Sequence, residues 1–204
     1  RAAAATASLT NGPRWPLIQG VLDALPVFAV ATEDKPLQYR VNGQPMAIFH
    51  ADLQKAKEEL EVAKEQHADI NCDLIAVGLG AAYTLTNEGK ASLVPGITEL
   101  MAAGMPEGMP AMGQELPLFA CMEMSRETEE GGTVLPLFMS FEDCEAAVHQ
   151  AREEADRDDL EIVPLSLPSV VEHLSSIAED MPSPFDLLAP TRSTDHVRHY
   201  IGNG

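Results

Sequence analysis

The order of the apolar segments constrains this chain most, because three of them recur in the same order about 90 residues apart. The three offsets are 91, 89 and 88 residues, so the two copies drift by only a few positions. Such a pattern indicates a folding unit that occurs twice. The paired segments are residues 25–30 and 116–121, 46–49 and 135–138, and 74–79 and 162–167.

Each copy begins with a predicted β-hairpin. The short apolar runs are bounded by proline, glycine or charged residues, which is typical of strands. In the first copy the pair Asn42-Gly43 favours a tight turn between two strands. In the second copy the polar residues 127–132 predict the turn of the corresponding hairpin.

A helix is predicted after each hairpin. Residues 51–67 and 141–157 carry apolar side chains at helical spacing, with charged residues between them. Asp52 and Ser140 stand where side chains that cap a helix are preferred. A third strand and a short helix follow in each copy, and residues 91–94 predict one further strand in the first.

These elements predict an α+β fold in which two pseudo-symmetric hairpin-helix-strand repeats form one domain, with an N-terminal helix and an extended C-terminal tail. Units of this size usually merge their sheets, because a small unit buries too little apolar surface alone. The predicted divisions are an N-terminal segment and helix (1–25), a first repeat (26–100), a connection rich in Met, Pro and Gly (101–115), a second repeat (116–180) and an extended tail (181–204).

The connection and the tail are the predicted partner-binding segments. Proline and glycine interrupt the helical spacing of the methionines in the connection, and flexible methionines suit adaptable protein surfaces. An ordinary packed or flexible connection is the alternative interpretation. The tail contains three prolines and no clear period, so we expect it to be disordered or held by a partner. The candidate partner-binding residues are Met105, Met109, Met112, Phe185, Leu187, Leu188, Tyr200 and Ile201.

The net charge of −19 excludes some classes of partner. A surface this acidic repels the phosphates of nucleic acids, and no apolar run reaches the roughly 18 residues that a membrane span needs. The acids concentrate in residues 127–162, where twelve of them face only Arg152 and Arg157. This segment is either a solvated face or an acidic surface for a basic partner.

The sequence contains no pattern that predicts catalysis, a cofactor, a metal or a small-molecule substrate. Gly78-Leu79-Gly80 begins a dinucleotide-binding motif, but Tyr83 stands where the third glycine belongs. His196 and His199 share a spacing of three without a third ligand, so we interpret them as polar residues of the tail. The cysteines are odd in number, lack metal spacing and are expected to be buried. They are Cys72, Cys121 and Cys144.

Five segments in a fixed order resemble the Tic22-like proteins of plastids and cyanobacteria. The resemblance covers roughly residues 15–174 and includes a strand–helix junction that contains Tyr83. The chain departs from the family pattern in its concentrated acidity, its methionine-rich connection and its proline-rich tail. The matching segments are residues 26–30, 47–60, 74–85, 117–119 and 136–143.

The resemblance implies a non-catalytic, soluble plastid protein that binds other proteins at a membrane, in the manner of a chaperone-like component of precursor import. It implies a location peripheral to the envelope or thylakoid membrane and protein partners in a membrane-associated complex. One alternative keeps the fold but changes the role. In that case the chain is an accessory subunit docked on a large photosynthetic membrane complex, such as a photosystem or antenna, through its connection and tail.

Overall fold

The computed structural model describes residues 9–41, 43–127, 132–156, 158–178 and 181–201. Over these residues the protein has seven α-helices and two β-sheets, one of six strands and one of five. The predicted α+β class is therefore confirmed. Asn42 of the first predicted turn and residues 128–131 of the second lie outside the described residues.

The first half contains an N-terminal helix, the six-stranded sheet and three further helices. Pro16 opens helix α1, where the missing N–H of proline costs nothing. The elements are α1 (Trp15–Leu22), β1 (Pro26–Thr32), β2 (Lys35–Pro36), β3 (Gln38–Val41), β4 (Gln44–His50), α2 (Leu53–Gln66), β5 (Asp73–Gly78), α3 (Leu79–Asn87), β6 (Ala91–Val94) and α4 (Ile97–Ala102).

The second half contains the five-stranded sheet and three α-helices. A short 3-10 turn, Met122–Met124, lies inside its hairpin, and a π-helical turn, Val197–Ile201, continues its last helix. The elements are β7 (Pro117–Ala120), β8 (Arg126–Glu127), β9 (Thr133–Phe138), α5 (Phe141–Ala155), β10 (Val163–Ser166), α6 (Leu167–Ser176), β11 (Phe185–Leu188) and α7 (Thr191–His196).

The two sheets have corresponding strand pairings. Strand β1 pairs antiparallel with β5 and β4, and β4 pairs parallel with β6. In the second half β7 pairs antiparallel with β10 and β9, and β9 pairs parallel with β11. Strand β11 therefore holds the same place in its sheet as β6 holds in the first.

Side-chain caps set the beginnings of the two long helices. The Asp52 carboxylate accepts a hydrogen bond from the Gln54 amide at 2.8 Å, and the Ser140 hydroxyl accepts one from the Asp143 amide at 3.2 Å. Both predicted caps are confirmed. Each cap satisfies an amide that the helix itself leaves unpaired and contributes about 1 kcal/mol.

The largest hydrophobic cluster contains residues of both sheets and of helices α1, α3 and α6. Phe49 of the first sheet and Leu137 of the second belong to it, and both are fully buried. Full burial of such a side chain contributes about 1.5–3 kcal/mol. The two halves therefore share one core.

Helices α4 and α7 each pack on the opposite half. Ala103, which ends α4, packs against the second-half cluster that contains Phe119 and Cys144. Val197, which ends α7, packs against the first-half cluster of Phe28, Leu53 and Ala56. The last helix of each half thus contributes to a cluster of the other.

The structure differs from the extended tail predicted for residues 181–204. The Leu135 amide donates to the Pro184 carbonyl, and β11 then runs parallel to β9 from Phe185 to Leu188. The prolines bound this strand without interrupting it, because they lie outside the residues that pair. The segment is thus a sheet edge followed by a helix, over the part that is described.

Candidate functional site

Residues 103–115 of the methionine-rich connection lie on the surface without helix or strand, whereas exposed Met101 and Ala102 form the end of helix α4. Met109 is 47% exposed and Met112 is 42% exposed, whereas Met105 is half-buried. Gly104, Gly108 and Gly113 adopt positive φ angles, which end helix α4 and turn the chain repeatedly. The connection therefore presents two apolar, flexible side chains to solvent.

The candidate residues near the C-terminus fall into two groups. Phe185 and Leu187 pack against the shared core, and Leu188 packs against the second-half cluster. Tyr200 is 74% exposed. The side chain of Ile201 lies outside the described residues. The structure thus does not bring the connection and the whole C-terminal set together as one surface.

A cavity of about 840 Å³ lies where helices α2, α4, α5 and α7 begin. Its floor includes Leu116 and Met139, which belong to the shared core, and its walls come from both halves. Its charged lining is mostly acidic. The charged residues are Asp52, Lys57, Glu99, Glu142, Asp143, Arg192 and Asp195.

Polar contacts on the second-half side of the cavity hold the beginning of α7 against α5. The Thr191 amide donates to the Asp143 carboxylate at 2.8 Å, and the Arg192 guanidinium pairs with Glu142 at 2.8 Å. Both ion-pair partners are exposed, so this pair contributes under about 1 kcal/mol.

His196 joins this cavity to the first half. Its ring meets the ring of buried Phe28 edge-on at 5.7 Å between centroids and lies 4.6 Å from Tyr200. Burial lowers the pKa of His196, and the positive charge of Lys57 lowers it further. The neutral ring therefore packs as an aromatic side chain.

Glu99 is one of three half-buried acids that line the cavity, together with Asp52 and Asp143. Burial raises the pKa of its carboxyl group, and the neighbouring Asp52 carboxylate raises it further. A Cβ atom on Gly96 would lie 2.2 Å from its carboxylate, so a larger residue at this position would displace the Glu99 side chain. Sequence reasoning did not select Glu99 or the aromatic role of His196, because neither belongs to a local motif.

Gly78 and Gly80, the two glycines of the incomplete dinucleotide-binding motif, have a packing role. A Cβ atom at Gly78 would lie 2.3 Å from the Asp23 carboxylate, and one at Gly80 would lie 2.6 Å from the Gln19 carbonyl. The Asp23 carboxylate accepts a hydrogen bond from the Ala81 amide at the beginning of α3. The glycines therefore let α1 approach α3 closely.

Three further features concern the cysteines, possible metal ligands and possible membrane-spanning helices. Cys72, Cys121 and Cys144 are free and buried, as predicted. Within the described ranges, no group of three or more potential ligands could hold a metal ion. Of the helices that are described, none is long and apolar enough to cross a membrane.

A second, shallower groove of about 640 Å³ lies along the outer side of α5. Buried Val148 and Leu160 lie at its base, beside half-buried Phe141 and Ile162. Exposed acids stand along the groove, at the centre of the most acidic segment of the sequence. They are Glu142, Glu145 and Glu161.

Comparison with known proteins identifies relatives by structure alone, since no family model and no curated protein sequence matches the chain. Tic22 from Plasmodium falciparum superposes with a TM-score of 0.74 at 17% sequence identity. The superposition covers 92% of this chain and 98% of the Plasmodium chain. Anabaena Tic22, described as a protein of protein transport, gives a TM-score of 0.68 at 18% identity, with 90% and 96% covered. Neither is described as a photosynthetic subunit, so the docked-subunit alternative gains no support. The chain has a Tic22-like fold.

Proposed function

We propose that this protein is a non-catalytic, protein-binding component of protein transport. The observation that carries the proposal is the similarity of fold over nine-tenths of the chain to two Tic22 proteins, one of them described by its role in protein transport. Fold alone does not determine function. The exposed apolar side chains of the connection give the proposal a physical basis.

The proposed location is the plastid or its cyanobacterial counterpart, peripheral to the envelope or thylakoid membrane. The resemblance in sequence and the names of the structural neighbours support this location. The proposed partners are precursor proteins and a membrane-associated complex that handles them. The net charge of −19 favours contact with basic polypeptides over contact with anionic lipid.

The duplication predicted from the sequence is also part of the proposal. The matching strand pairings support two related halves, as does one pair of equivalent hydrogen bonds. In that pair the Leu79 amide donates to the Leu25 carbonyl, and the Leu167 amide donates to the Leu116 carbonyl. Two related halves would offer a partner two similar scaffolds with different surfaces.

Among the residues selected from the sequence, Met105, Met109, Met112 and Tyr200 remain the proposed partner contacts. Met109, Met112 and Tyr200 are exposed, and methionine adapts to varied apolar segments. Phe185, Leu187 and Leu188 are engaged in the sheet and its packing, so the proposal assigns them a supporting role.

A crosslinking experiment tests this proposal. A photoreactive amino acid is placed at Met109, at Met112 or, as a control, at Val62, which is 45% exposed on α2. Each protein is then illuminated with an unfolded precursor protein and with the same precursor folded. We expect crosslinks to the unfolded precursor from the connection and few from Val62.

A double variant provides the quantitative measurement. Met109→Ser with Met112→Ser should weaken binding of the unfolded precursor about thirtyfold, because each methionine contributes on the order of 1 kcal/mol when buried. Crosslinks of equal strength at all three positions, or unchanged binding by the double variant, would show that the connection is not a precursor contact.

A further inference from the structure

The groove along α5 combines an apolar base with an acidic edge. Val148 and Leu160 are almost completely buried at its base, while Glu142, Glu145 and Glu161 are exposed around it. The α5 residues that line it run from Phe141 to Arg152, which is about 16 Å of helix at 1.5 Å per residue. About three turns of a second helix would fit along this length.

The positively charged residue in this groove has a structural role. The Arg152 guanidinium donates a hydrogen bond to the Leu160 carbonyl and so ties the segment before β10 to α5. This bond holds the two walls of the groove together. Three acids and this one arginine line the groove. Because Glu142 already pairs with Arg192 of α7, the attraction for a basic partner rests on Glu145 and Glu161.

The charges of the surroundings add to that excess. Helix α5 has five acids and one arginine, whereas the corresponding helix α2 has four acids and three lysines. The lysines of α2 pair with acids of their own helix, Lys55 with Glu59 and Lys64 with Glu61. The negative charge of α5 is thus not compensated by cations of the helix itself, and Arg192 of α7 compensates it only at Glu142.

We propose that this groove binds a basic amphipathic helix of a partner protein, with the apolar side of that helix on half-buried Phe141 and Ile162 and exposed Ala146, and its Lys or Arg side chains against Glu145 and Glu161. Helix binding in a groove needs both an apolar base and complementary charges at the edge. A second copy of this chain is disfavoured as the occupant, because its own surface is strongly acidic. The inference rests on the proposed function in that the partner is a protein, and it names the class of segment that is recognised.

A binding assay with the full chain tests this inference. The probe is a fluorescent synthetic peptide of about 18 residues, or five helical turns, with leucines on one face and arginines on the other. A peptide of the same composition in scrambled order, without an apolar face, is the control. We expect the amphipathic peptide to bind more tightly, and its affinity to fall as salt is raised, because exposed charges are screened.

Three variants locate the site. Glu145→Gln and Glu161→Gln together should weaken binding about threefold or more, since two exposed charge pairs are lost. The matched control removes two acids from α2, namely Glu58→Gln and Glu65→Gln, and should leave affinity nearly unchanged. Ala146→Trp fills the groove without changing its charge and should also weaken binding.

Equal losses in the α5 and α2 variants would overturn the inference, because they would show attraction by net charge alone. Binding that persists in Ala146→Trp, or no binding of the peptide by the intact chain, would do so as well. Concentration-dependent dimers that the α5 variants abolish would point to a second copy as the occupant. If the intact chain does not bind the peptide but still crosslinks to unfolded precursors through Met109 and Met112, this inference fails while the proposed function stands.

Discussion

Helices α2 and α5 hold equivalent places in the two halves, and they differ where they face solvent. Each follows a hairpin, begins at a capping side chain and buries a stripe of apolar residues. Their net charges differ, because α2 has four acids and three lysines while α5 has five acids and one arginine. The buried faces of the two helices pack in similar ways, so the difference between the helices lies on their exposed faces, where a partner would bind.

The buried ends of the two helices show a second difference. In the second half, Phe119 packs edge-on against Phe141 of its own α5, with 5.2 Å between the ring centroids. In the first half the corresponding residue of α2 is Leu53, and the ring that meets Phe28 is His196 of α7. The two halves therefore complete similar clusters with residues from different parts of the chain.

The largest effects are expected from removing the two central aromatic rings. Phe28→Ala and Phe119→Ala should each lower the free energy of unfolding by about 3–5 kcal/mol, because each leaves a cavity in a fully packed cluster. Urea denaturation should show a single transition in both variants, since the halves share one core. Exposed Val62→Ala is the control, with a change within about 0.5 kcal/mol. Two separate transitions would break the comparison by showing that the halves unfold independently.

Gly78 and Ser166 test whether equivalent positions tolerate the same residue. Gly78→Ser should cost about 2–3 kcal/mol, because its Cβ would lie within 3 Å of the Asp23 side chain and Cα. Ser166→Gly, the reciprocal change, loses a helix cap and should cost only a few tenths of a kcal/mol. Thermal unfolding of both variants measures the difference. Equal losses would mean that α1 does not constrain the first half.

The two capping residues should respond alike. Asp52→Ala and Ser140→Ala each remove one hydrogen bond to a helix amide, at an expected cost of about 1 kcal/mol. Denaturant midpoints of the two variants provide the measurement, with Gln54 and Asp143 left in place. A loss several times larger at either position would indicate a role in holding the cavity together.

The smallest expected effect depends on pH and concerns Glu99. Burial raises the pKa of this carboxyl group in the folded protein, so the folded state binds the proton more tightly than the unfolded state does. The resulting stabilisation is present below the ordinary pKa and is lost as pH rises through the folded-state value. Glu99→Gln should therefore be more stable than the parent at pH 7 and similar to it at pH 4. Melting temperatures at the two pH values test this, and a variant that is less stable at pH 7 would contradict it.

Local features of the fold were predictable from sequence because their causes are local. Asp52 and Ser140 lie directly before amphipathic helices, and a cap depends only on the amides that follow it. The recurring apolar segments likewise indicated the hairpins and the α+β class. The lengths of these elements follow from periodicity, which neighbouring residues determine.

Strand β11 was missed because its pairing is not local. Four residues between prolines have no period, and their partner strand lies about 50 residues earlier. Extending the repeat would have found it, since residues 185–188 follow α6 as residues 91–94 follow α3. The cavity around Glu99 and His196 had no comparable signal, because four separate helices bring its residues together.

The packing of α4 and α7 on opposite halves bears on whether the connection is needed to keep the two halves together. Because Ala103 and Val197 each belong to a cluster of the opposite half, the halves hold each other by interior packing. We therefore expect the two halves to stay associated after the backbone is cleaved between Gly104 and Gly113. Met109 and Met112 are exposed, so the residues at these two positions can change with the partner while the fold stays the same.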